Sequence, residues 1–446
     1  MTRVPAVGEL RPFAPPGIQR ARLGNGLEVI IAEKRGLPVV DVQLIVRAGA
    51  VGDATTQAGR ASLTAELMDE GTRQHSAIEI SDLVELLGAD LELHAGWDAI
   101  FLALHGLRPR LGPMLDLLTE VALQPTFPAD EFKRKQEERV HGLLQERSEP
   151  RAVAVKALAR AVFGAAHIYG WPLSGTVDSL GRMDRAALLE HYGNFAPGRA
   201  HVVVAGHVDA DQIVRELDHR LGDWSGTPLA ESLVPPAPES ARRILLIDRP
   251  GAAQSEVRIG HVGLSRDTPD YFAVLVLNTV LGGSFKSRLN MILREEKGFT
   301  YGASSSFAFR RAGGLFSAGA AVFTDATAET VSIVVREIER MAQFGATAEE
   351  LERARRYLSL GFVRTFETTS DVAGHLADLV LFDLGDDYLQ TYAERVAAVS
   401  AADVAGAASR YLHTHELAIV IVGDRARVLE PLQRLELAPV IEVEAE

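Results

Sequence analysis

Between residues 62 and 75 the chain gathers Glu66, Asp69, Glu70 and His75, carboxylates and an imidazole of the kind that hold divalent ions. In sequence they read as the solvated face of a helix and the loop after it rather than as a metal site. His413 and His415 flank one residue just ahead of an apolar run and read as a surface loop. Gly282-Gly283 suggests a phosphate-cradling turn, but no Gly-Lys-Ser/Thr follows, which sets the nucleotide reading aside. The 446 residues include no cysteine, so disulfides and thiol nucleophiles are excluded. A net charge of −14 with no Lys/Arg run argues against a nucleic-acid partner.

The elements that must position these residues follow from hydrophobic period. Leu27 to Ile31 and Val39 to Val46 predict two strands joined by a turn over Glu33–Pro38. Ser62 to Glu70 and Ser76 to Leu87 predict helices, the second with Ser76 as N-cap. Leu91 to His105 alternates like a strand, and Leu111 to Leu123 returns to helical period. Phe307, Phe309 and Phe316 surround a predicted hairpin, as core or as the wall of a binding site. Strands mixed with helix pairs predict an α+β fold of mostly antiparallel sheets layered with helices. No apolar run approaches the roughly 18 residues of a membrane span. The first nine residues lack an apolar signal core, so the literal reading is cytoplasmic. A chain trimmed of its signal peptide and working in the periplasm would look the same.

The chain is also written twice. Phe127-Pro-Ala-Asp-Glu-Phe132 and Ala346-Thr-Ala-Glu-Glu-Leu351 each open a long amphipathic helix, 219 residues apart. Arg199–Gly206 and Glu416–Gly423 each read as a buried strand ending in glycine and followed by a helix, 217 residues apart. Two landmarks in the same order at nearly one offset predict a duplicated domain. The predicted domains are residues 1–224 and 242–446, joined by a Pro- and Ser-rich linker over 225–241. Two such domains facing each other are expected to enclose an interdomain cavity.

Four segments resemble the insulinase/pitrilysin-type zinc peptidase family, in its bacterial two-subunit branch. They are Leu23-Gly-Asn-Gly-Leu-Glu-Val with Leu37-Pro-Val-Val and Arg47-Ala-Gly downstream; Gly59 to Gly71-Thr72; Leu281-Gly-Gly-Ser284 with Ser287-Arg288-Leu289; and Leu293-Arg-Glu-Glu-Lys-Gly-Phe-Thr-Tyr301. As a group, in this order, they are specific, and with the duplication they cover almost the whole chain. The resemblance implies two homologous α+β domains forming one half of a clamshell around an unfolded peptide.

The departure from the family is chemical. Active members carry His-x-x-Glu-His on one helix face, two zinc ligands and a glutamate that polarises the metal-bound water. Here those positions fall on Ser62, Ala65 and Glu66, and the downstream glutamate ligand falls near His141-Gly142. The resemblance therefore implies a chain without a zinc site of its own. It also implies that Arg294 and Tyr301, seven residues apart, correspond to the pair that holds the substrate carbonyl and the developing oxyanion. The expected protein is the non-zinc subunit of a heterodimeric peptidase, resembling the non-catalytic subunit of mitochondrial processing peptidase and inactive alone. Zinc would come with a homologous partner subunit, and a peptide or unfolded protein would be the substrate. The alternatives are a structural core-type subunit and a peptide-binding homodimer without catalysis.

Overall fold

Two strands, Ala200–Gly206, apolar apart from half-buried His201, and the wholly apolar Ala418–Gly423, lie almost wholly buried at the centres of two six-stranded sheets. The computed structural model describes residues 13–227, 234–238 and 240–444, so the expected linker falls partly outside the described residues. The first sheet is built from β1 (Ile18–Arg22), β2 (Glu28–Glu33), β3 (Val39–Val46), β4 (Asp90–Ala95), β5 (Ile100–Leu107) and β6 (Ala200–Gly206). The second uses β7 (Arg243–Asp248), β8 (Gln254–Val262), β9 (Ala303–Ala308), β10 (Leu315–Phe323), β11 (Ala418–Gly423) and β12 (Val440–Val443). Their spatial orders are β1-β2-β6-β3-β5-β4 and β12-β7-β11-β8-β10-β9. Strand for strand the two orders correspond, apart from the outer strand beside β2 or β7. That strand is supplied by the N-terminal end in one sheet and by the C-terminal end in the other. Gly206 ends β6 opposite Glu33, and Gly423 ends β11 opposite Asp248, so the two landmark glycines are equivalent. Leu91–His105, which alternates as one strand, is two strands folded back at residues 96–99. Edge strand β4 alternates in burial, whereas β6 and β11 do not, because central strands are covered on both faces.

Helices of the first half are α1 (Arg60–Leu67), α2 (Ala77–Leu87), α3 (Leu111–Leu123), α4 (Ala129–Glu146), α5 (Pro150–Phe163), α6 (Val177–Gly181), α7 (Arg185–Tyr192) and α8 (Ala210–Leu221). Those of the second are α9 (Tyr271–Leu281), α10 (Arg288–Asn290), α11 (Thr327–Phe344), α12 (Ala348–Arg364), α13 (Thr369–Leu381), α14 (Tyr388–Ala398), α15 (Ala401–Tyr411) and α16 (Arg425–Gln433). Ser76 caps α2 in a reciprocal box with Glu79, and Thr347 caps α12 in the same way with Glu350, satisfying otherwise unpaired N–H groups.

The halves interlock. On one face each sheet carries helices of its own half. On the other, α5 of the first half lies across β8 and β11, with Val153, Ala154, Leu158 and Val162 packed against Ala418, Val420 and Val422. Reciprocally, α13 of the second half covers β3 and β6, where Val372, Ala373, Leu376 and Val380 meet Ile30, Ile45, Val203 and Ala205. The interdomain cavity expected from a simple face-to-face pair is thus largely filled by exchanged helices. The turns of the β4–β5 and β9–β10 hairpins also meet. Arg310 sits over the rings of Trp97 and Tyr169, 4.4 and 4.0 Å from their centroids. Burial lowers its guanidinium pKa to about 10.

Candidate functional site

Ser62 and Glu66 lie one turn apart on the half-buried face of α1, while Ala65 points into the core and is fully buried. Facing them is α4. Its Arg139 donates to Ser62 Oγ at 3.2 Å and to the Ser174 carbonyl at 3.2 Å, and its second terminal nitrogen pairs with Glu66. Gly142, one turn further along α4, offers no side chain, and neighbouring His141 is exposed. Glu66, Lys135, Glu138, Arg139, Gly142, Leu143 and Glu146 together line a cavity of about 460 Å³.

These residues do not fit a zinc ion. Zinc requires three or four neutral-imidazole, thiolate or carboxylate donors. At the motif positions the donors are a hydroxyl and one carboxylate, and that carboxylate already has a guanidinium as counter-ion; Glu138 and Glu146 of the same cavity pair with Arg134 and Lys156. The wider acidic set is likewise engaged: Glu70 with Lys135 at 2.7 Å and Arg134 at 2.5 Å, and His75 with Glu120 at 2.8 Å. Asp69 is the exception, its carboxyl raised to about 6 by burial and by the charge of Glu70. Among the described residues no group of three His, Cys, Asp or Glu is placed to hold a metal ion. His413, expected on a surface loop with His415, is half-buried, its ring stacked 5.0 Å from that of buried His261.

Arg294 and Tyr301 lie elsewhere, in the second half, and share no contact with Ser62 or Glu66. After α10 the backbone widens into a π-type turn over Met291–Glu296, in which Lys297 N–H reaches the Ile292 carbonyl. Such turns rotate side chains out of helical register. Arg294 lies in this turn, with its guanidinium 4.5 Å from the Phe285 ring and 3.5 Å from Glu295. Gly298, at φ +65°, then reverses the chain toward β9, a left-handed conformation that favours glycine. Tyr301 follows and is 92% exposed, its ring standing in solvent. The loop carrying it is nevertheless pinned: Asn290 donates to the Phe285 carbonyl at 2.7 Å and accepts from Ala303 N–H at 3.2 Å. The preceding Ser-Arg-Leu segment is anchored by a two-pronged pair between Arg288 and Glu350, 2.7 Å at each contact. Burial alone would raise the Glu350 carboxyl, but Arg288 and the Thr347 cap draw it down to about 2. A side chain at Gly282 would run into Ser305 of β9 and one at Gly283 into Asn278 of α9, so close packing accounts for the two glycines.

Residues 28–170 match the model of the insulinase family (peptidase family M16), and residues 182–358 match that of the peptidase M16 inactive domain. Together the two matches span well over half of the chain, and the fold agrees. The chain belongs to the M16 peptidase homologues of the insulinase type. Its relatives carry both active and inactive names. It is 26% identical to an uncharacterized zinc protease of Mycobacterium tuberculosis, over 80% of this chain and 82% of that one. It is 22% identical to a non-peptidase homolog of Helicobacter pylori, over 90% of this chain and 92% of that one. A crystal structure of a peptidase M16 inactive domain from Pseudomonas fluorescens superposes with a TM-score of 0.85 at 27% identity, covering 91% of this chain and 98% of that one.

Proposed function

We propose that this chain is the non-zinc subunit of a two-subunit peptidase, contributing Arg294, Tyr301 and part of the wall of a peptide-binding cavity to a zinc-bearing homologue. The observation that carries this reading is Tyr301, a large phenol held in solvent on an anchored loop with Arg294 on the preceding turn. A phenol with no partner among the described residues is free to donate to a group supplied from outside, and the Arg294 guanidinium, on the turn before it in sequence, would suit the same developing oxyanion. The α1 site supports the same division of labour, because Arg139 and Glu66 neutralise each other where the family holds its metal. An extended substrate would add as a strand to an exposed sheet edge, its backbone bonds tolerating many sequences. The H. pylori relative named a non-peptidase homolog fits a chain without peptidase activity of its own.

Co-expression with a zinc-motif homologue and a peptidase assay test the reading. Arg294→Ala and Tyr301→Phe are expected to leave folding and pairing intact while lowering turnover about 10²-fold or more each. The double variant loses less than the product of the two, because the groups act as a unit. Full activity of both single variants in a verified pair, or one tightly held zinc per isolated chain, would overturn it.

A further inference from the structure

We propose that the cavity between the end of α9, the turn over 282–287 and α12 is a specificity subsite, taking a peptide segment in which a bulky apolar side chain adjoins a carboxylate. Its role beside Arg294 rests on the peptidase reading above; its binding chemistry does not. The cavity measures about 260 Å³, and its apolar walls are Val280 of α9, Phe285 of the turn, and Ala354 and Tyr357 of α12. Glu350, Arg353, Ala354 and Tyr357 are spaced at i, i+3, i+4 and i+7, so one face of α12 supplies that side. Phe285 is shared: its ring lines the cavity and also lies 4.5 Å from the Arg294 guanidinium.

The turn is held in shape by its own chain. Ser284 donates to the Thr279 carbonyl at 3.0 Å, Asn290 to the Phe285 carbonyl at 2.7 Å, and Gly283 N–H to the Asn278 carbonyl at 2.7 Å. Thr279 turns its hydroxyl to the Leu275 carbonyl at 2.8 Å. Both hydroxyls bordering the cavity are thus spent on backbone, and the interior is left apolar. Phe285 and Tyr357 are nevertheless 57% and 54% exposed. Exposed rings around a preformed hollow, rimmed by charge, mark a binding surface.

The rim decides which apolar group enters. Among the described residues the charged groups bordering the cavity are Lys286, Glu350 and Arg353. Glu350 is fully engaged, by Arg288 on both oxygens at 2.7 Å and by Thr347 N–H at 2.8 Å. Lys286 has no hydrogen-bond or ion-pair partner among the described residues, and Arg353 meets only exposed Glu349, at 3.3 Å. No acidic residue occurs from Arg353 to Arg364, so α12 runs on from the cavity as a cationic stretch of a chain whose net charge is −14. A neutral apolar side chain would leave the two rim cations unanswered, and a basic one would be repelled. A carboxylate next to the apolar group answers both.

The test is isothermal titration of the full chain, without a zinc-bearing partner, with the acetylated and amidated hexapeptide Ala-Ala-Phe-Asp-Ala-Ala. It should bind about tenfold more tightly than the same peptide with alanine for phenylalanine. It should bind about three- to fivefold more tightly than the same peptide with asparagine for aspartate. Tyr357→Ala should remove most of the first preference, and Lys286→Gln with Arg353→Gln should abolish the second. These side chains reach into solvent, so the thermal melts should match that of the parent chain. Equal affinity for the three peptides, preferences that survive the variants, or no binding of any peptide overturns the proposal. An active pair whose chain shows no preference sinks the subsite and spares the peptidase role; a preference in a chain whose verified pair is inactive does the reverse. The pentapeptide Ala-Ala-Ala-Ala-Phe with a free C-terminus identifies the source of the carboxylate. Tighter binding than the hexapeptide assigns a chain end, and weaker binding assigns an internal acidic residue.

Discussion

Behind Gly142 and behind Gly361, two helices related by the 219-residue offset open cavities of similar size with opposite linings. On α4 the wall positions are Glu138, Arg139 and Glu146; at the same offset on α12 they are Tyr357, Leu358 and Thr365. The position that turns inward is apolar in both, Leu143 and Phe362, each under a tenth exposed. The inward residue keeps each helix docked, while the wall residues differ in chemistry, only Leu358 among them adding to the core. One half fills its cavity with paired charge, the other with rings around a stacked guanidinium.

The exchanged helices give the largest test of this two-fold arrangement. Leu158→Ala on α5 and Leu376→Ala on α13 each remove a fully buried side chain and should cost about 2–5 kcal/mol in urea denaturation. Amide exchange should show each one loosening the opposite half's sheet, Leu158→Ala at β8 and β11 and Leu376→Ala at β3 and β6. Loss confined to the mutated helix's own half would break the picture.

A smaller, pH-dependent effect is expected at Asp69, which feels the charges of Lys135 and Glu66 in the first cavity. The Asp69 carboxyl is raised from 3.8 to about 6, first by burial and then by Glu70. The folded chain holds this proton more tightly than the unfolded chain. Its contribution to stability is therefore full below about pH 4 and is lost as pH climbs through about 6. Asp69→Asn should flatten that decline, worth at most about 3 kcal/mol, in melts recorded from pH 4 to pH 7. An unchanged slope would show that the carboxyl is not raised.

Arg139→Leu places at the first cavity the residue its counterpart carries. It should cost about 1 kcal/mol in denaturant unfolding, because Glu66 is partly solvated and the pair is only half sheltered. The smallest effect should be the same in both halves. Gly142→Ala and Gly361→Ala sit in helix interiors where a Cβ meets nothing, and each should stabilise by about 0.5–1 kcal/mol. Stabilisation at only one of them would show that the two helix faces are not equivalent.

Much of this was legible in the sequence because strand centres and helix faces repeat with strong apolar patterns. β3, α2 and α3 lie where hydrophobic period places them, and the glycines ending β6 and β11 marked the duplication. The cross-covering by α5 and α13 was not legible, since periodicity shows that a helix has an apolar face but not which sheet receives it. Arg139 was missed because ligand spacing drew attention to His141 and Gly142, one turn beyond the cation that occupies the site. The aromatic cavity draws its rings from α9, α12, α13 and α14 and from Phe382 between them, so no local spacing announces it. The available signal was the pair of helix glycines at the repeat offset. Of the three hairpin phenylalanines, Phe316 proved to be core, whereas Phe309 reaches the aromatic cavity.

The exchanged helices also govern how the molecule is made. The first sheet is complete once β6 has been synthesised, but the helix that covers its second face ends about 175 residues later, at Leu381. At about 5–20 residues per second, the ribosome needs on the order of 10–35 s to deliver it. Throughout that interval the apolar face of Ile30, Ile45, Val203 and Ala205 lacks the helix that covers it in the finished chain.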